Sequence, residues 1–158
     1  MTTDDTAKVA ELLKGERFGF LTTITMDGRL TSRPMTLQEV EFDGDLWFFA
    51  ERDSNPVAHI AASPEVNVGA GSGGSWVSLT GDAEIVEDVA KKRELWNSGV
   101  EAWFPQGPDD DSVVLIKVHA DSAEYWDTPG GRVATALAFA KTKITGGRPS
   151  GHSESVDL

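Results

Sequence analysis

Five groups of residues in this chain have types and spacings that could do chemistry. Arg33 sits in Thr31-Ser32-Arg33-Pro34-Met35. An arginine in an extended segment with apolar neighbours needs an anionic partner, either a carboxylate of the same chain or a ligand phosphate. The aromatic set Trp47, Phe48, Phe49, Trp76, Trp96, Trp103, Phe104 and Trp126 offers core packing, or a wall on which a flat heterocycle stacks. His59, His119 and His152 stand far apart without metal-like spacing and read as surface histidines. Asp109-Asp110-Asp111 lacks the spacing of a calcium loop and reads as a solvated loop. Gly69-x-Gly71-x-x-Gly74 has the letters of a dinucleotide fingerprint. It is followed by the strand-like Trp76-Val77-Ser78-Leu79, where the fingerprint needs a helix N-terminus to receive phosphate, so it reads as a hairpin loop. No side chain stands out as a catalytic acid or base, so catalytic residues are unassigned and no metal ligands are expected.

The elements that must position these residues are short and mostly extended. A helix over Val9–Leu13 is capped by Thr2, Thr3 or Asp4 and stopped by Lys14-Gly15. Phe18–Thr25 reads as a strand ending at the turn pair Asp27-Gly28. Leu30–Phe42 reads as extended, with Pro34 marking an edge or a bulge. Asp43-Gly44 turns the chain into Leu46-Trp47-Phe48-Phe49. Asn55 is expected as a helix N-cap with Pro56 as the first helical residue. Strands are expected at Val66–Ala70, Trp76–Val86, Val113–Val118 and Ala123–Trp126, with a loop over Gly69–Ser75. Helices are expected at Val89–Ser98 and Val133–Lys143. Many short strands joined by hairpin signals predict a mainly β, antiparallel barrel with flanking helices.

Composition sets the outer limits. The 158 residues, 39% apolar and 25% charged, suit a single domain, here residues 1–146, with a flexible tail over 147–158. There is no cysteine, which removes disulfides, a thiol nucleophile and iron–sulfur ligation. Fourteen basic against 26 acidic residues give a net charge of −12, a poor match to nucleic acid or an anionic membrane. No apolar run approaches the roughly 20 residues of a membrane span. The N-terminus lacks a basic-then-apolar signal, so a cytoplasmic protein is expected.

Asp27-Gly28, Ser32-Arg33-Pro34-Met35, Leu46-Trp47-Phe48-Phe49, Asp53-Ser54, Pro64-x-Val66, Gly81-x-Ala83, Trp103-Phe104-Pro105-x-Gly107 and Glu124-Tyr125-Trp126-Asp127 occur in one order. In this ordered set the chain resembles the general stress protein 26 family of the pyridoxamine 5′-phosphate oxidase-like split barrels, from about Val9 to Arg148. The resemblance implies a six-stranded antiparallel split barrel of the FMN-binding type. It also implies a homodimer with FMN in a groove at the dimer interface. Arg33 matches the arginine that approaches the flavin phosphate. Pro34 and Met35 match backbone lining the ring. Phe49 and Ala50 match an aromatic–threonine pair beside the flavin, with the hydroxyl lost at Ala50. Ser54 matches a serine of the phosphate site, and Trp126 a tryptophan supplied by the other subunit. Phe48, Asn55 and Trp103 complete the candidate cofactor-binding set. Trp47, Phe49 and Trp103 are expected to cover the dimer face.

Two departures bear on function. The related oxidases carry Ser-Arg-Lys where this chain has Ser54-Asn55-Pro56, so both basic groups are missing. Of the Arg, His and Arg that follow the tryptophan in the oxidases, only the first is kept: the positions are Arg132, Ala134 and Ala136. Oxidation of pyridoxamine phosphate itself is therefore not expected. Three readings follow: an FMN-binding stress-type protein with oxidoreductase potential, a deazaflavin-dependent reductase, and a cofactor-free dimeric binding module.

Overall fold

The computed structural model describes residues 3–38, 40–127 and 152–158. Helix α1, Thr3–Leu13, lays Val9 fully into the core and stops at Gly15, whose φ of +86° ends it in the left-handed region. Strands β1, Phe18–Ile24, and β2, Leu30–Thr36, form a hairpin. Pro34 lies on an edge, because β2 ends the sheet, and the pairing from Phe18–Thr36 to Ile24–Leu30 runs without a bulge. The strand stops at Thr36, short of the Phe42 expected from sequence. Beyond it Leu37 and Phe42 turn into the core instead of alternating.

Next come β3, Asp45–Glu51, and α2, Asn55–Ala62. The N-cap of α2 is Ser54, one residue earlier than expected, with Asn55 and Pro56 opening the helix. Strands β4, Glu65–Ser72, and β5, Ser75–Val86, pair down to Ser72–Ser75. The expected glycine loop is thus reduced to the two-residue turn Gly73-Gly74, both with positive φ. The helix expected over Val89–Ser98 is two helices, α3, Val89–Leu95, and α4, Ser98–Trp103. Asn97 divides them: its side chain accepts a hydrogen bond from the Val100 N–H and so caps a new helix.

The two separate strands expected near the C-terminus are one, β6, Val113–Asp127. A register shift opposite Thr80/Gly81 absorbs the extra residue Asp121. Gly81 is obligatory there, since a Cβ would lie 1.9 Å from the His119 carbonyl oxygen. The tail is not loose throughout. His152–Asp157 forms β7, pairs antiparallel with Ser122–Asp127 and buries Val156. Among the described residues the sheet therefore has seven strands instead of six, ordered β2-β1-β4-β5-β6-β3 with β7 also on β6. All pairings are antiparallel, and the protein is mainly β with helices outside. The expected helix over 133–143, and Arg132, Ala134 and Ala136, lie outside the described residues.

Two cores result from strand alternation. The main one holds Leu21, Phe48, Val68, Leu79, Ile116 and Val118, with α2 adding Val57 and Ile60. The second lies on the other face of β3 and β6, where Phe49, Val113 and Leu115 pack against Leu95 and Val100 of α3 and α4.

Candidate functional site

Arg33 projects from β2 to the same side as Leu21 and Thr23 of β1. Its Nη1 donates to the Leu21 carbonyl oxygen at 3.1 Å and to Thr23 Oγ1 at 2.8 Å. Leu21 is its register partner and Thr23 lies two residues along, so the arginine reaches straight and diagonally across the pair. Burial of the guanidinium holds its pKa below the ordinary arginine value. Both acceptors are neutral. In a chain with 26 carboxylates, no carboxylate among the described residues pairs with Arg33.

Thr23 is fully buried and makes a second contact, at 2.8 Å, with His59 Nδ1 of α2. Sequence reading assigns His59 to the surface. It is instead half-buried, on a helix whose neighbouring Val57 and Ile60 enter the core. Arg33, Thr23 and His59 thus form one polar chain linking edge strand, inner strand and helix.

The other expected site residues divide. Pro34 and Met35 follow Arg33 directly on β2, so their backbone continues from it along the edge strand. Phe48 and Ala50 point into the main core, while Phe49 points the opposite way, edge-on to Trp96 at 5.3 Å and 6.3 Å from Phe104. These three side chains are packed within the chain. Ser54 Oγ donates to the Glu51 carbonyl oxygen at 2.7 Å and makes no cap bond. Pro56 has no N–H to give it, and Asn55 follows Ser54 as an exposed residue of the first turn. Trp103, at the end of α4, is 75% exposed.

Trp126 belongs to a different surface. On the outer side of the sheet it stands directly opposite Trp76, and both are substantially exposed. Phe18, Phe20 and Leu30 of the β1–β2 hairpin are exposed as well, Phe20 by 58%. Trp47 and Phe49 do not contribute to an open face, contrary to expectation. Phe49 is buried, and Trp47 is half-covered, with Lys91 and Lys117 Nζ at 4.9 Å and 5.4 Å from its ring centre.

The acidic run is engaged by cations. Arg93 pairs with Asp109 at 2.7 Å, Arg52 Nε donates to the Asp111 carbonyl, and buried Lys92 donates to the Asp110 and Val113 carbonyls. His119 pairs with Asp45 at 2.8 Å. Among the described residues no three His, Cys, Asp or Glu side chains converge as metal ligands, and no helix is long and apolar enough to cross a membrane.

The fold is an antiparallel sheet of the barrel type with helices outside it, and its edge strand carries an arginine held on two neutral acceptors. The family model described as pyridoxamine 5′-phosphate oxidase like matches residues 4–150, and the chain belongs to that family. A solved structure assigned to general stress protein 26, from Jannaschia sp. CCS1, is 27% identical, with 99% of this chain and 100% of that one covered at a TM-score of 0.78. The general stress FMN/FAD binding protein of Xanthomonas citri is 29% identical, with coverages of 79% and 89% and a TM-score of 0.67. Protein bli-3 of Neurospora crassa is 28% identical over 150 residues, 87% of this chain and 72% of its own length.

Proposed function

We propose that this chain is a flavin-binding protein of the stress type that holds FMN by its phosphate at Arg33. The observation that carries the reading is a half-buried guanidinium with only neutral partners among the described residues. A cation removed from water without a counter-charge is costly, and a phosphate dianion supplies that charge with a geometry a guanidinium matches. Family membership and the FMN/FAD-binding relative support the same choice.

Bound flavin would supply the redox chemistry; the protein's part is to bind and orient it. Arg33 would hold the phosphate, and the backbone at Pro34 and Met35 would border the ring. Phe48, Phe49 and Ala50, buried in two separate cores, would serve the fold and not touch the ring with their side chains.

The reading includes a homodimer, with the flavin at the interface. The exposed Phe18, Phe20, Leu30, Trp76 and Trp126 make an apolar outer surface of a kind that a second copy buries. Cytoplasmic location and an oxidoreductase role complete the proposal. The test is a titration with FMN, FAD, riboflavin and a deazaflavin, read by the absorbance bands of bound ligand and by tryptophan fluorescence. FMN binding at least tenfold tighter than riboflavin supports the reading. Preference for a deazaflavin would move the protein to the reductases, and no binding of any of them would make it a cofactor-free module.

A further inference from the structure

We infer that His59 is the second cation of the phosphate site and makes anion binding depend on pH. The inference rests on the proposed flavin-phosphate reading. It starts from the proposed site, where the partners of the Arg33 guanidinium are neutral and a phosphate dianion would leave room for a second cation. The side chain at 59 reaches the same buried hydroxyl that holds Arg33, so guanidinium and imidazole are two 2.8 Å contacts apart.

Proton placement makes Thr23 the link. Arg33 Nη1–H uses one lone pair of Thr23 Oγ1. With the imidazole neutral and Nδ1 bare, the Thr23 hydroxyl hydrogen goes to Nδ1. When the imidazole is protonated, Nδ1–H becomes a donor and the hydroxyl hydrogen must turn away. Two cations then converge on one neutral oxygen. Without an anion this arrangement is self-repelling; with a phosphate over it, both charges are answered. Anion binding and His59 protonation therefore favour each other, by the same factor in each direction.

The surroundings leave this coupling unopposed. β1 carries no ionisable side chain over Phe18–Ile24, and α2 carries none besides His59. On β5, Asp82 and Glu84 are exposed and line a separate outer depression with Lys117 and His119. Arg33 is the charged group joined to His59 through Thr23.

The experiment measures FMN and riboflavin dissociation constants at about pH 8 and about pH 5.5. It uses the full chain, His59→Asn and His59→Gln. His59→Asn keeps a hydrogen-bonding atom near the Nδ1 position without the charge, and circular dichroism verifies folding of each variant. Acid also protonates the FMN phosphate, so the readout is the affinity ratio of wild type to variant at each pH. That ratio should be near one at the higher pH and rise to about ten- to thirtyfold at the lower, as expected for one added charge-assisted contact. Riboflavin should show no such change, and FMN binding near pH 6 should take up more protons, or release fewer, in wild type than in His59→Asn. A phosphate-dependent FMN preference whose ratio is the same at both pH values would overturn the role of His59 while leaving the flavin reading intact. Equal binding of FMN and riboflavin by wild type would overturn both.

Discussion

The Arg33 guanidinium and the Thr23 hydroxyl meet at 2.8 Å diagonally across two paired strands, with Thr23 wholly shielded from water. The arginine is therefore held in place before any ligand arrives. A pre-placed cation loses less side-chain entropy on binding than a free one.

Arg33→Ala should weaken FMN by about 2 kcal/mol or more, the worth of a charge-assisted contact in a partly desolvated site. Arg33→Lys should restore little of this, because an ammonium lacks the planar fork. Riboflavin binding should be unaffected by either change. Isothermal titration decides it, and equal FMN affinity in wild type and Arg33→Ala would remove Arg33 from the site.

Pro56→Lys should raise FMN affinity several-fold by returning a cation to the first turn of α2. The gain should shrink as salt rises, since a partly exposed pair is screened. Folding stability should change little or fall slightly, because a cation near a helix N-terminus opposes the dipole. A gain shared by riboflavin would show that position 56 does not face the phosphate.

The outer apolar surface should hold two copies together. Sedimentation velocity at micromolar concentration is expected to give a dimer for wild type. Phe20→Lys with Trp126→Glu should give a folded monomer, because both side chains are already exposed within one chain. A wild-type monomer would contradict the proposed assembly.

Gly81→Ala should be among the most destabilising single changes. Its Cβ would meet the His119 carbonyl oxygen at 1.9 Å, and that oxygen belongs to strand backbone with no room to withdraw. A loss of roughly 3 kcal/mol or more is expected in urea unfolding, the range of severe steric lesions. Gly44→Ala, where nothing would touch the Cβ, should show only the cost of its positive φ.

Alkaline pH should loosen β7. The hydrogen bond to Glu154 raises the pKa of Tyr125, and the bond from Lys8 to Asp127 raises that of Lys8. A folded-state pKa above the unfolded one contributes stability below the unfolded value, about 10 for these groups, and loses it as pH rises through the folded value. Amide exchange of Ser153–Val156 should therefore quicken above about pH 10 more than that of β4. Tyr125→Phe should flatten this dependence, and an unchanged profile in that variant would refute it.

The outline of the fold was readable where local chemistry decides it. Asp27-Gly28 marks its hairpin, and Pro34 lies on the edge strand its missing N–H demands. What escaped was set by distant partners. The continuity of β6 depends on the sheet tolerating Asp121 as a bulge, and β7 depends on an open edge of β6 beyond β3. Arg33 was legible as a candidate for an anionic partner, from its place in an extended segment with apolar neighbours. Thr23 and His59 were not, since a threonine in a β-rich run and a histidine on a short helix look ordinary. A usable signal was present in the Val57/Ile60 stripe, which places His59 on the border of the buried face.

The long central strand has a consequence for how the chain folds. Among the described strands β3 pairs with β6 alone, with Phe49 waiting for Leu115, whereas β1 and β2 close on each other at once. Contacts of such wide separation must overcome loop-closure entropy before they return any stability. During synthesis, the apolar Leu46-Trp47-Phe48-Phe49 segment must therefore emerge and remain without its strand partner until β6 has left the ribosome. Folding should be slow relative to helical proteins of this size, and the interval before β6 appears is when the nascent chain is most exposed to aggregation.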